Sequence, residues 1–129
     1  MDRELIVCDE GMIEDVIGCA IEVHKVLGPG LLESPYELAL MHELNDKGLK
    51  TQCQVEVPIN YKGQNLGTGF RADMIIENKL LIELKAVDVI NKIHMAQVIT
   101  YLKLLNIKRG LIINFNTSLL KNGIKRISI

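Results

Sequence analysis

The sequence lacks tryptophan, and only five of its 129 residues are Phe or Tyr. Its core must therefore be aliphatic. Cysteine is scarce too: Cys8, Cys19 and Cys53 are odd in number, widely spaced and form no Cys-x-x-Cys. That spacing argues against a zinc site or a disulfide framework and for reduced thiols in a cytoplasmic protein. No apolar run approaches the ~20 residues of a membrane span, and the acidic N-terminus has no signal-peptide core. Repeats, low-complexity segments and interdomain linkers are also missing. With 48% hydrophobic and 24% charged residues, the composition is that of an ordinary globular protein. One domain over residues 1–129 is the expected count.

One sign of charge is nearly missing from the C-terminal third. Residues 85–129 hold 8 Lys/Arg against 1 Asp, a net of +7, whereas residues 1–84 hold 7 Lys/Arg against 15 Asp/Glu, a net of −8. Lys92, Lys103, Lys108, Arg109, Lys121, Lys125 and Arg126 would suit a polyanion if they converged beside an acidic site. A scatter of solvated cations over several faces is the plain alternative.

The segment from Phe70 to Ala86 is the centre of the chain. Two apolar strands flank a polar turn at Glu77-Asn78-Lys79, and three charges interrupt them: Asp73, then Glu83 and Lys85. Side chains alternate along a strand, so Glu83 and Lys85 share a face. A hairpin centred on Asn78 puts Asp73 opposite Glu83, whereas a two-residue turn would slip the register and turn Asp73 away. Facing carboxylates suit a hard divalent cation, which often takes only one or two protein oxygens plus water and phosphate. Such an ion polarises a phosphodiester and acidifies bound water, and a nearby lysine steadies developing negative charge. An exposed sheet face with a Glu–Lys pair would read the same way locally.

Around this hairpin the spacing predicts a helix from about Gly11 to Leu27, ended by Gly28-Pro29-Gly30. There His24 is expected to have a packing role at the helix end. A second helix is expected to start with Ser34 as N-cap, Pro35 in the first position and Glu37 closing a capping box, with Leu38, Met41 and Leu44 as its apolar stripe and Gly48 as its stop. Cys53, Val55, Val57, Ile59 and Tyr61 read as one face of a half-solvated edge strand, with Pro58 marking the edge. A third helix from about Asn91 to Asn106 buries Met95, Val98, Ile99, Leu102 and Leu105 and carries His94, Gln97 and Tyr101 on a second face. Residues 109–115 form a buried strand, reached from the hairpin by a crossover expected to be parallel. Residues 123–129 form a last strand with Ile127 and Ile129 inward.

Three signals then fall in one order: Gly30-x-x-Glu33-x-x-Tyr36, Asp73…Glu83-x-Lys85 and Gln97-x-x-x-Tyr101. Together with the blocks at residues 24–33, 83–87 and 110–115, they make the chain resemble the GxxExxY protein family, a branch of the PD-(D/E)XK nuclease superfamily, from about residue 10 onward. The resemblance implies an α/β fold. Its restriction-endonuclease-like core is a mixed central sheet flanked by helices in αβββαβ order, with an extra N-terminal helix and a C-terminal strand. It further implies that Asp73, Glu83, the Leu84 carbonyl and Glu33 hold Mg2+, with Mn2+ as a substitute, and that Lys85 is the catalytic lysine. Gln97 and Tyr101 would help build the site. The implied activity is phosphodiester hydrolysis of nucleic acid, DNA first, in repair, recombination or defence, with a homodimer or accessory protein supplying recognition. The alternative is a non-catalytic module on the same fold that binds nucleic acid or protein. A thiol site from Cys19 and His24 fails on spacing, because residues five apart do not face each other on a helix.

Overall fold

The computed structural model describes residues 10–67 and 69–129; Cys8 and the acidic N-terminal residues lie outside them. Three helices and seven strands follow in order: α1 (Glu10–Leu27), α2 (Glu33–Asp46), β1 (Thr51–Val57), β2 (Asn60–Tyr61), β3 (Gln64–Asn65), β4 (Phe70–Ile76), β5 (Leu80–Lys85), α3 (Lys92–Leu105), β6 (Arg109–Asn114) and β7 (Ile124–Ser128). A 3-10 turn at Leu120–Gly123 leads into β7. Five strands form one sheet in the order β1-β4-β5-β6-β7, while β2 and β3 make a small separate hairpin. The expected αβββαβ order is present, with α1 as the extra helix and β7 as the extra strand.

The hairpin register is the one that centres on Asn78: Met74, Ile75 and Ile76 pair with Ile82, Leu81 and Leu80. Glu77 and Asn78 take left-handed φ values of 54° and 57° to close the three-residue turn. The β5–β6 pair is parallel, as the α3 crossover requires, and Lys85 and Asn114 close it at one end of the sheet.

Alternation in β4 and β5 loads both faces of the sheet. Met74, Ile76, Leu80, Ile82 and Leu84 pack with the buried stripes of α1 and α2. Ile75, Leu81 and Ile112 pack on the other face with Val98, Tyr101 and Leu102 of α3. Each fully buried aliphatic side chain contributes roughly 1.5–3 kcal/mol, so strands buried on both faces need no aromatic bulk.

Four expectations need correction. First, α2 starts two residues early, with Leu32 at the N-cap and no side-chain cap. Ser34 and Glu37 therefore form no capping box, and Pro35 sits inside the first turn, where its missing N–H costs nothing. Second, the inward stripe of α2 is Tyr36, Leu40 and Leu44, with Leu38 69% exposed. Third, β1 does not keep one face: Cys53 packs with the α1/α2 side and Val55 with the α3 side. Residues two apart land on opposite faces only if the strand breaks between them, and Gln54 has a left-handed φ of 53°. Beyond Val57 the chain leaves the sheet, so Ile59 and Tyr61 do not extend this strand. Fourth, β7 turns Ile127 inward and leaves Ile129 43% exposed.

Candidate active site

The geometry begins with the paired break in β1 and β4. Gln54 and Asp73 are opposite each other in a register that runs without slip from Thr51–Ile76 to Val57–Phe70. β4 also changes face at this point, with Ala72 toward α3 and Met74 toward α1 and α2. On the other side of Asp73, side chains take over from the β4–β5 ladder. The Asp73 N–H donates to Glu83 Oε1 at 2.9 Å, and the Leu84 N–H donates to Asp73 Oδ2 at 2.8 Å. The two carboxylates thus stand together where the backbones part. This is strain placed at one spot, since a non-glycine residue in the left-handed region is held there only by its surroundings.

Both acids are held against their ordinary chemistry. Burial raises the Asp73 pKa, opposed by the Leu84 N–H, the Gln54 amide and the Lys85 charge. Glu83 is 4% exposed. Burial, and then the Asp73 charge, push its pKa up to about 7. Lys85 follows at the end of β5, half-buried, and its charge acts favourably on both carboxylates.

Glu33 reaches the same place from α2. Its Oε2 accepts the Ala86 N–H at 3.1 Å, one residue past Lys85, and its charge raises the pKa of Asp73. The loop before it explains Gly30-x-x-Glu33-x-x-Tyr36 physically. Gly30 has a φ of 105°, which a side chain would resist. Tyr36 is fully buried, and its hydroxyl donates to Gly28 O at 2.6 Å and accepts the Leu31 N–H at 3.2 Å. The Tyr36 ring stacks on Phe115 with centroids 4.3 Å apart, and the Phe115 N–H is bonded to Lys85 O. Tyr36 thus ties the loop that delivers Glu33 to the strand end that carries Lys85. His24 belongs to this frame: its Nε2 donates to Thr117 O at 2.8 Å.

From α3, Gln97 and Tyr101 form a side-chain hydrogen bond. Burial, then the charges of Glu83 and Asp73, raise the Tyr101 pKa. His94 does not join them. Its Nδ1 accepts the Asn91 N–H while Asn91 Oδ1 accepts the His94 N–H, a capping box that starts the helix. The basic rim is incomplete as well. Arg109 and Arg126 pair with Glu10 at the opposite end of the sheet from Lys85.

Three site residues escape a reading of motifs. Glu37 accepts the Gln54 Nε2 at 2.8 Å; burial and then the Asp73 charge raise its pKa. Its i+4 spacing from Glu33 was the available signal, masked by the capping-box pattern. Gln54 Nε2 also lies 3.4 Å from Asp73 Oδ1, and only the register places it there. Asn114, 2% exposed, accepts the Val87 and Asn116 N–H groups and donates to Val87 O, clamping the chain that leaves β5.

Among the described residues, no three His, Cys, Asp or Glu side chains gather closely enough to hold a metal unaided. The donor set still fits a hard divalent ion: two desolvated carboxylates repel each other, and a cation removes that penalty. No helix of the described residues is long and apolar enough to cross a membrane.

Comparison with known proteins agrees with this geometry. Residues 10–127 match a family model of the PD-(D/E)XK nuclease superfamily. Neither a curated protein nor a solved structure matches the chain.

Proposed function

The chain belongs to the PD-(D/E)XK nuclease superfamily, and from that premise we propose that it is a metal-dependent nuclease acting on nucleic acid, with DNA as the substrate and Mg2+ as the metal. The observation that carries this reading is the Asp73–Glu83 pair, held in reciprocal backbone contact with Lys85 two residues on. Asp73, Glu83 and the Leu84 carbonyl would hold the ion, with Glu33 beside them through water or directly. Bound there, Mg2+ supplies Lewis acidity to the phosphodiester and its attacking water.

The chain's own groups do the rest. Lys85 Nζ donates to the attacking water or to a nonbridging phosphate oxygen, holding the nucleophile in line and offsetting charge as the phosphorus becomes five-coordinate. Water adds to phosphorus, the bond to one ester oxygen breaks, and the water's proton leaves to solvent as the leaving oxygen is protonated. Tyr101 and Gln97 brace the α3 side of the cleft, and Asn114 and Tyr36 hold the strand end and the Glu33 loop in place. The motif at residues 30–36 favours the GxxExxY branch.

The test is cleavage of labelled single-stranded DNA, duplex DNA, branched DNA and RNA in Mg2+, Mn2+ or EDTA. Lys85→Ala and Asp73→Asn are each expected to lower the rate by about 10^2–10^3-fold or more and to keep the fold. Binding of nucleic acid that is unchanged in both variants, with no cutting by wild type, would instead establish a binding module.

A further inference from the structure

Only two phenylalanines occur in the chain. One, Phe115, is fully buried, and the other, Phe70, is 47% exposed. Phe70 opens β4, three residues or roughly 10 Å along the strand from Asp73. It lines a groove of about 260 Å3 with Ile59, Ile93, Ala96, Thr100 and Leu104, and the groove continues into Gln97 and Tyr101 of the candidate site. The Phe70 and Tyr101 rings meet at 6.4 Å with a 58° tilt. The groove therefore has apolar walls and an aromatic face, and Gln97 and Thr100 of α3 lie along one side of it. Cations stand nearby in sequence: Lys92 adjoins Ile93, which is 75% exposed. In the small hairpin that follows Ile59, Lys62 lies over the exposed Tyr61 ring at 5.3 Å.

We propose that this groove receives one unstacked nucleobase of the substrate, next to the phosphate being cut, so that the protein acts on single-stranded nucleic acid. The proposal rests on the nuclease reading and adds the substrate class. A base in a duplex must first be unpaired and unstacked to enter such a groove. A base of a single strand is free to stack on Phe70, and every base presents a flat face, so the site takes any sequence. Gln97 and Thr100, on the α3 side, are the groups that would meet the base edge. An occupant with flat apolar faces that is tied to a phosphate at the neighbouring candidate site is a nucleotide. An aliphatic side chain of a partner protein would use the walls but gain nothing from the Phe70 face or from the candidate site beside it.

The experiment compares binding and cleavage of three probes by the full chain: a short labelled single strand, the same strand with one abasic position moved along it, and the matching duplex. Binding is read by anisotropy in Ca2+ and cutting in Mg2+. Wild type should prefer the single strand, and an abasic site beside the cut should weaken binding by about 5- to 100-fold. Phe70→Ala should cause a similar loss on the intact strand and none on the abasic one, while Phe70→Trp should restore binding. Should Phe70→Ala fold poorly, Ala96→Glu, at an exposed helix position, blocks the groove and should reproduce the loss. Equal binding of intact and abasic strands by wild type, or cutting of duplex alone with Phe70→Ala unaffected, would overturn the groove proposal and leave the nuclease reading standing. Self-association lost in Phe70→Ala, with no change in strand binding, would assign the groove to a second copy and also overturn it. No cutting of any probe in any metal would instead count against the nuclease reading itself.

Discussion

The two ends of the central sheet handle carboxylates in opposite ways. At the Leu80–Arg109 end, Glu10 is exposed and accepts hydrogen bonds from Arg109 and Arg126, and these bonds lower its pKa. At the Lys85–Asn114 end, Glu83 is buried beside Asp73 with its pKa raised to about 7. Among the described residues no arginine bonds either acid there; two backbone N–H groups, the Gln54 amide and one lysine charge are the compensation. An acid matched by two arginines is at rest, and its contribution in water is small. A pair of acids desolvated without such a match is destabilised until something positive arrives. That difference, rather than the number of acids, separates an anchor of the fold from a candidate site, and perturbed groups in a cleft are where function concentrates.

The comparison can be broken most sharply at the strained end. Glu83→Gln should abolish metal-dependent cutting, with a loss of about 10^3-fold, yet leave the fold at least as stable as wild type near neutral pH. Titration calorimetry with Mg2+ and a cleavage assay would check both halves. An active Glu83→Gln protein would show that the carboxylate pair is only structural.

The pH dependence of stability is the next largest effect. Glu83 moves from an ordinary 4.5 up to about 7 on folding, so between those values the folded chain keeps a proton that the unfolded chain has lost. The stability this supplies is complete below pH 4.5 and is lost as pH rises through 7. It amounts to on the order of 2 kcal/mol between pH 5 and pH 8 for the metal-free protein. Denaturant melts at the two pH values should show this fall, and Glu83→Gln should flatten it. Mg2+ should restore stability at pH 8 more than at pH 5, because it binds the deprotonated pair.

Tyr36→Phe removes a buried hydroxyl that serves both Gly28 and Leu31. It should cost about 1–3 kcal/mol and lower activity through the loosened Glu33 loop, while metal binding by Asp73 and Glu83 persists. Gln54→Gly should relieve the left-handed strand position, a change worth up to about 1 kcal/mol in the favourable direction. The same change should slow cleavage by removing the amide between Glu37 and Asp73. The smallest effect belongs to the satisfied end: Glu10→Gln should leave activity intact and shift the melting temperature by about 2 °C or less, and only at low salt.

Much of this is legible in the sequence. Periodicity located the three helices of the described residues, and the apolar strands with the Glu77–Lys79 turn located the hairpin but left two registers open, of which the structure takes the one centred on Asn78. That register alone brought Asp73 opposite Glu83. The errors share one cause. Ser34-Pro35-Tyr36-Glu37 has every mark of a capping box, but Glu33 and Glu37 are engaged with Ala86 and Gln54, and these tertiary partners outweigh a local cap worth about 1 kcal/mol. His94 looked like a third member of the Gln97–Tyr101 face, yet its contact three residues back caps the helix. The alternation in β1 predicted one face for Cys53 and Val55, and the break at Gln54 overrode it.

What the sequence determined by itself is local or periodic: the helices, the buried strands, the turn and the spacing of Asp73, Glu83 and Lys85. These follow from side-chain polarity and backbone preference within a few residues, so a single chain displays them directly. Only the tertiary structure decided which strand faces Asp73 at Gln54, that Asn114 clamps the exit of β5 and that two arginines go to Glu10 instead of the cleft. It alone decided, too, that Phe70 opens a groove beside Tyr101. Those outcomes depend on register, face and burial across the sheet, where a residue's neighbours are set by packing rather than by position in the chain.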